Sequence, residues 1–150
     1  GAQVSPRLLH FLMKRIRLLL LPPMLILPFL LIGQVGTPIA NDIGTQALSN
    51  RQLKAVFLGN KSLWDNNKTV TVVLTSSNSQ NFEATAQWAL GTDAFEYQKH
   101  WLSLVFQGRS GAPVLLDSET EVVEYISAHP GAIGMLYSLP PPPELEIDVK

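Results

Sequence analysis

The 150-residue chain contains no cysteine. That excludes disulfide bonds, thiolate metal ligands and a cysteine nucleophile together. It leaves the compartment open, since an oxidising space permits disulfides without requiring them. Charge is scarce as well, at 15% of residues, and the formal net charge of −1 conceals an uneven distribution. Arg7, Lys14, Arg15 and Arg17 lie in the first 17 positions, which hold no acidic residue. From Asn41 onward seven Lys/Arg face twelve Asp/Glu, a balance of about −5. A basic face is the electrostatic footprint of nucleic-acid binding, so the acidic body argues against a nucleic-acid partner. The length allows one domain of ordinary size.

What the N-terminus does have is an address. In MKRIRLLLLPPMLILPFLLIGQ (13–34) three basic residues precede an uncharged apolar run from Leu18 to Ile32. At 15 residues the run is shorter than the ~20 needed for a spanning helix, and Pro22, Pro23 and Pro28 each remove a backbone donor. The pattern matches the basic and apolar regions of a secretory signal, with cleavage expected after Thr37 or Ala40; the alternative is an uncleaved membrane anchor. Residues 1–12 are read as lying upstream of a natural start at Met13. Residues 1–40 are therefore expected to be leader and signal, 41–138 the folded domain, and 139–150 (LPPPPELEIDVK) a Pro-rich acidic tail, extended and poorly ordered. The localisation that follows is periplasmic.

The body alternates helix and strand signals. LSNRQLKAVFLG (48–59) has Ser49 and Gln52 at capping-box spacing, Leu48 and Leu53 at staple positions, an apolar face of Leu53, Val56 and Phe57, and Gly59 at the left-handed C′ position. TVTVVLT (69–75) is β-branched and predicts a strand. SSNS (76–79) leads into a helix of about 81–90, with Ser77 and Gln80 as its box. A second helix follows from Asp93 and Glu96, with Tyr97, Trp101, Leu104 and Val105 at helical spacing, and ends at Gly108. APVLL (112–116) predicts a short strand. SETEVVEYISAH (118–129) predicts a helix boxed by Ser118 and Glu121 that buries Val122, Val123 and Ile126, and GAIGMLY (131–137) the last strand. Gly134, in the middle of that strand, points to a bulge or to the close approach of another backbone or a ligand. Strands separated by helices imply an α/β fold with a small, mostly parallel sheet and flanking helices.

Three segments in order, LSNRQLKAVFLGNKSLW (48–64), HWLSLVFQGRSGAP (100–113) and SETEVVEYISAHPGAIGML (118–136), resemble the substrate-binding proteins of phosphate ABC transporters. More closely, they resemble small exported proteins with a periplasmic-binding-protein-like domain. Members of that family show "IFLG…W", "yW…iFxG…P" and "pGaIGYv" segments, and the resemblance covers roughly residues 47–137. It implies the type-2 periplasmic-binding topology, truncated to something like one lobe, with phosphate or another small oxyanion as the ligand class. The family's arginine, acidic residue and Ser-Gly-Thr turn after the central strand are missing: the junction reads LTSSNSQNF (74–82), with Leu74 where the arginine falls. The resemblance thus leads us to expect an exported, non-enzymatic binding protein with a reduced or lost phosphate site. A true oxyanion receptor for an ABC transporter, or an accessory subunit docking onto an envelope protein, stand as alternatives.

Two segments are candidate anion ligands. Thr75, Ser76, Ser77, Asn78 and Ser79 join a strand to a helix N-terminus, where free N–H groups and hydroxyls are neutral donors; ordinary capping explains the same residues. Arg109 and Ser110 follow a helix end, where the guanidinium serves an anion or the helix carbonyls. His100 and His129 lie in different helices without clustered carboxylates, so no metal site and no cofactor is expected. Glu119, Glu121 and Glu124 are read as a solvated helix face, and Trp64, Trp88 and Trp101 as core. Gly108-Arg-Ser-Gly is one residue short of a nucleophile elbow. Nothing assembles a nucleophile, base and orienter, and an enzyme is not expected.

Overall fold

The alternation of apolar residues along two strands decides how the layers form. In a computed structural model, which describes residues 35–150, the elements run β1 (Thr37–Ala40), β2 (Ala47–Leu48), α1 (Asn50–Phe57), β3 (Thr71–Thr75), α2 (Gln80–Leu90), α3 (Ala94–Phe106), β4 (Val114–Leu116), α4 (Glu119–Ala128), β5 (Ala132–Leu136) and β6 (Asp148–Val149). The main sheet has the order β1-β5-β3-β4, with β3 parallel to both β5 and β4 and β1 antiparallel to β5. Successive strand side chains point to opposite faces. Val72, Leu74, Ile133 and Met135 accordingly join Phe57, Phe82, Tyr97 and Trp101 from α1, α2 and α3 in one core. Val73, Ala132 and Leu136 join Val122 and Ile126 of α4 in the other. The sheet is therefore sandwiched, with α4 the one described helix on the second face. No helix among the described residues is long and apolar enough to cross a membrane.

Of the expected capping boxes only that of Ser49 closes on both sides; at α3 Asp93 receives Glu96 N–H at 2.9 Å but Glu96 makes no return bond. Ser49 and Gln52 form both halves of the capping box, and Gly59 adopts φ +73°. For α2 the cap is Ser79 rather than Ser77: Ser79 N–H closes a turn onto Ser76 O at 2.9 Å, and its hydroxyl receives Phe82 N–H. Ser118 receives Glu121 N–H, but the Glu121 carboxylate reaches back to Asp117 N–H instead of Ser118. Of the four apolar residues at helical spacing in α3, Tyr97, Trp101 and Leu104 are buried and Val105 is exposed.

Gly134 sits where α4 crosses the sheet. A Cβ there would lie 2.8 Å from Ile126 Cδ1, 3.1 Å from Val122 Cγ1 and 3.2 Å from Val73 O. The glycine is thus explained by helix packing. Its neighbour Gly131 (φ +90°) anchors the preceding turn, with Trp64 Nε1 donating to its carbonyl at 2.8 Å.

Both ends of the expected domain are corrected. Residues 1–34, which hold most of the segment read as leader and signal, lie outside the described residues. Thr37–Ala40, assigned to that leader, forms the sheet edge, with Ile39 fully buried. The 139–150 segment is no loose tail. Leu145 and Ile147 are buried, Ala40 N–H donates to Leu145 O at 2.8 Å, and β6 pairs in parallel with β2. The physical reason is the alternation of Leu145, Ile147 and Val149 beyond the proline run, a strand period that outweighs the prolines before it.

Candidate functional site

Parallel α/β sheets offer ligands a crevice outside the carboxyl ends of their strands. Here β3 ends at Thr75, β4 at Leu116 and β5 at Leu136. Beyond those ends lies an open groove of about 350 Å³ lined by Thr75, Ser79, Asn81, Asp117, Ser118, Glu119, Thr120, Ser138 and Leu139. Thr75 and Ser79 hydroxyls are 2.7 Å apart, and Ser79 Oγ also accepts Phe82 N–H at 3.1 Å. The Ser76 hydroxyl donates to the Asn78 side chain, while Ser76 N–H reaches Leu116 O at 2.9 Å and ties the turn to β4. Thr75 and Ser79 thus line the groove with their hydroxyls already engaged, and Ser76 and Asn78 satisfy one another in the turn.

The groove centres on a residue that sequence reasoning assigned to solvent. Glu119 is only 9% exposed. Its carboxylate accepts the backbone N–H groups of Tyr137 (3.2 Å), Ser138 (3.1 Å) and Leu139 (2.9 Å), and the Asn81 side-chain amide at 2.7 Å. Three successive amides make a concave anion receptor, and a carboxylate of the chain itself occupies it. Burial alone would push the Glu119 carboxyl up. The donors from Leu139, Ser138, Asn81 and Tyr137 outweigh it and hold the group below its ordinary range. The neighbouring Tyr137 phenol is pushed up, chiefly by burial, although its contact with Thr85 Oγ1 at 2.9 Å works the other way. No local signal marks Glu119. Its partners come from 38 and about 20 positions away, and only folding unites them.

Arg109 and Ser110 are not part of this groove. Arg109 is exposed after the left-handed Gly108, its N–H satisfied by Leu104 O at 3.0 Å. Ser110 lines a separate cleft of about 130 Å³ with Thr69, Val70, Thr71 and Val72, at the amino end of β3. A strand of this length separates the two ends by roughly 13 Å, so the two candidate segments do not converge. The two histidines among the described residues face carbonyls at helix ends: His100 Nε2 lies 2.7 Å from Leu58 O, and His129 Nδ1 2.7 Å from Tyr125 O.

No protein-family model matches the sequence, and no curated protein matches it. Solved structures do. A protein of Clostridium perfringens described as a phosphate ABC transporter substrate-binding protein, solved with bound phosphate, aligns over 76% of this chain and 45% of its own, with a TM-score of 0.53 and 12% identity. A protein of Planctomyces limnophilus described as a possible phosphate binding protein aligns over 69% of this chain and 35% of its own (TM-score 0.49, 12% identity). An ABC-type phosphate transport receptor of Vibrio cholerae aligns over 75% and 44% (TM-score 0.46, 11% identity). The chain spans less than half the length of each. At such identity it is the architecture that is shared: a mixed α/β unit with a mostly parallel sheet, built like one lobe of a type-2 periplasmic-binding protein.

Proposed function

We propose that this chain is an exported, non-enzymatic binding protein, related in fold to the substrate-binding components of phosphate ABC transporters, with a reduced or lost phosphate site. One observation carries the reading: the amides of residues 137–139 and Asn81, the strongest anion donors in the groove, are already taken by Glu119. Asp117 adds a second acidic side chain to the lining, which contains no lysine or arginine among the described residues. A phosphate dianion entering there would meet like charge and, among the described lining residues, no cation; like charges in one site are mutually unfavourable. The fold likeness to proteins named for phosphate transport and the basic-then-apolar pattern of residues 13–34 support export and a binding role. Calorimetric titration and thermal unfolding of the chain with millimolar phosphate test it. The expected outcome is negligible heat and little shift in melting temperature. A large shift that disappears in a Ser77→Ala/Ser79→Ala variant overturns it.

A second reading, a working oxyanion receptor, draws support from the nest itself. If Glu119 swings out, three amides, Asn81 and the Thr75 and Ser79 hydroxyls would surround a small oxyanion. In that reading Glu119→Gly binds phosphate or sulfate more tightly than the wild type, and absence of binding by both chains removes it.

A further inference from the structure

Helix α3 turns two apolar faces outward from its axis, and the domain uses only one. Tyr97, Trp101 and Leu104 are buried. On the far side Phe95 is 68% exposed, Leu102 52% and Phe106 87%, with Val105 at 37% beside them. Positions 95, 102 and 106 are seven and four apart, so they form one stripe along a helix of 3.6 residues per turn. Nothing among the described residues covers it. A phenylalanine side chain carries roughly 150–250 Å², so the two phenylalanines alone leave on the order of 300 Å² bare, within the range where a monomer's largest patch is usually functional.

We propose that this stripe joins two copies of the chain, with α3 packed antiparallel against α3 of the second copy across a two-fold axis near Leu102. The ends of the helix carry the argument for a second copy. Glu96 lies in the first turn and Arg109 just past the last, and both are exposed. An antiparallel pair centred near Leu102 brings Glu96 and the Phe95 ring of one copy beside Arg109 of the other, twice by symmetry. That arrangement offers an ion pair and a cation–π contact at each end. A parallel arrangement would set like charges side by side. The area also suffices. Both stripes together, with the stems of Gln98, Lys99 and Arg109, remove roughly 1,000–1,200 Å² from water, the lower bound for a specific interface.

Sedimentation velocity of the full 150-residue chain tests the pairing. The wild type is expected to be dimeric at roughly 100 µM and to dissociate on dilution, and Phe106→Asp to be monomeric at that concentration. Arg109→Glu should weaken the dimer about tenfold, and adding Glu96→Arg to it should restore most of the loss. In this cysteine-free chain Leu102→Cys should cross-link to itself with a short bismaleimide, while Glu124→Cys on α4 should not; this readout stands even if Phe106→Asp fails to fold. A monomeric wild type, whose stripe is then covered within its own chain or by another partner, overturns the proposal. So does a dimer that survives Phe106→Asp, or failure of the Leu102→Cys cross-link.

Discussion

The Asn81 side-chain amide donates to the Glu119 carboxylate at 2.7 Å, bridging the first turns of α2 and α4 across the carboxyl edge of the sheet. The same carboxylate ties down the chain where it leaves β5, through Tyr137, Ser138 and Leu139 N–H. One side chain therefore fixes three segments. Replacing it with alanine strands a buried set of donors, at a cost of about 1–3 kcal/mol. Glu119→Ala is expected to lower the thermal midpoint by several degrees, with Glu119→Gln, which keeps an acceptor, in between. Added formate or acetate should recover part of the loss in the alanine variant by refilling the nest. Thermal unfolding by circular dichroism checks all three, and a melting temperature unchanged in Glu119→Ala would show that the nest is energetically idle.

Acid sensitivity follows from the same group. The folded-state Glu119 carboxyl is held below its ordinary value of 4.5, despite burial, by the donors around it. Between the folded and unfolded values the unfolded chain binds more protons, so stability rises with pH there. The contribution is complete above about 4.5 and is lost as pH falls through the lower, folded value. Denaturant unfolding at stepped pH should therefore show wild-type stability dropping below pH 4.5 more steeply than that of Glu119→Gln. Parallel curves for the two proteins would assign the acid sensitivity elsewhere.

What could be read from the residues was what depends on near neighbours. Ser49 and Gln52, Ser118 and Glu121, and Gly59 are local patterns, and each marks a helix end. The Thr75–Ser79 turn was recognised as the junction after the central strand, and it does border the groove. Glu119 was not legible, because a glutamate at a helix start is ordinary and its meaning lies in amides brought from the other side of β5. Arg109 and Ser110 offer an anion donors like those of the turn, but the parallel strands β3 and β4 send them to the opposite end of the sheet. Asparagine at 81 likewise looked like any polar helix residue.

The two glycines just before β5 and in its middle should respond differently to alanine. At Gly134 the new Cβ meets first the tip of Ile126 at 2.8 Å, a side chain able to turn aside. At Gly131 it meets the Thr69 carbonyl at 2.4 Å, on a backbone held at φ +90°. Gly134→Ala is expected to cost about 1 kcal/mol and Gly134→Val about 2–3 kcal/mol by overpacking α4. Gly131→Ala combines left-handed strain with a backbone clash and should exceed the first of these. Urea midpoints rank the three variants; Gly134→Ala falling below Gly131→Ala would contradict this account of the turn.

The C-terminal segment should prove integral to the domain. Leu145 is buried against Ile39, Val73 and the α4 residues, and Ile147 against the core on the other face. Backbone bonds from Ala40 N–H to Leu145 O at 2.8 Å and from Asp148 N–H to Gln46 O at 2.8 Å stitch the segment to β1 and the loop after it. Truncating a buried leucine or isoleucine to alanine costs about 2–5 kcal/mol, so Leu145→Ala and Ile147→Ala should each produce a loss in that range. Val149→Ala, at an exposed position, should change little. Hydrogen exchange supplies the independent check: the amides of Ala40, Leu145 and Asp148 should be protected together in the wild type and lose protection together in Leu145→Ala. Rapid exchange at residues 145–148 in the wild type would return the segment to the status of a loose tail.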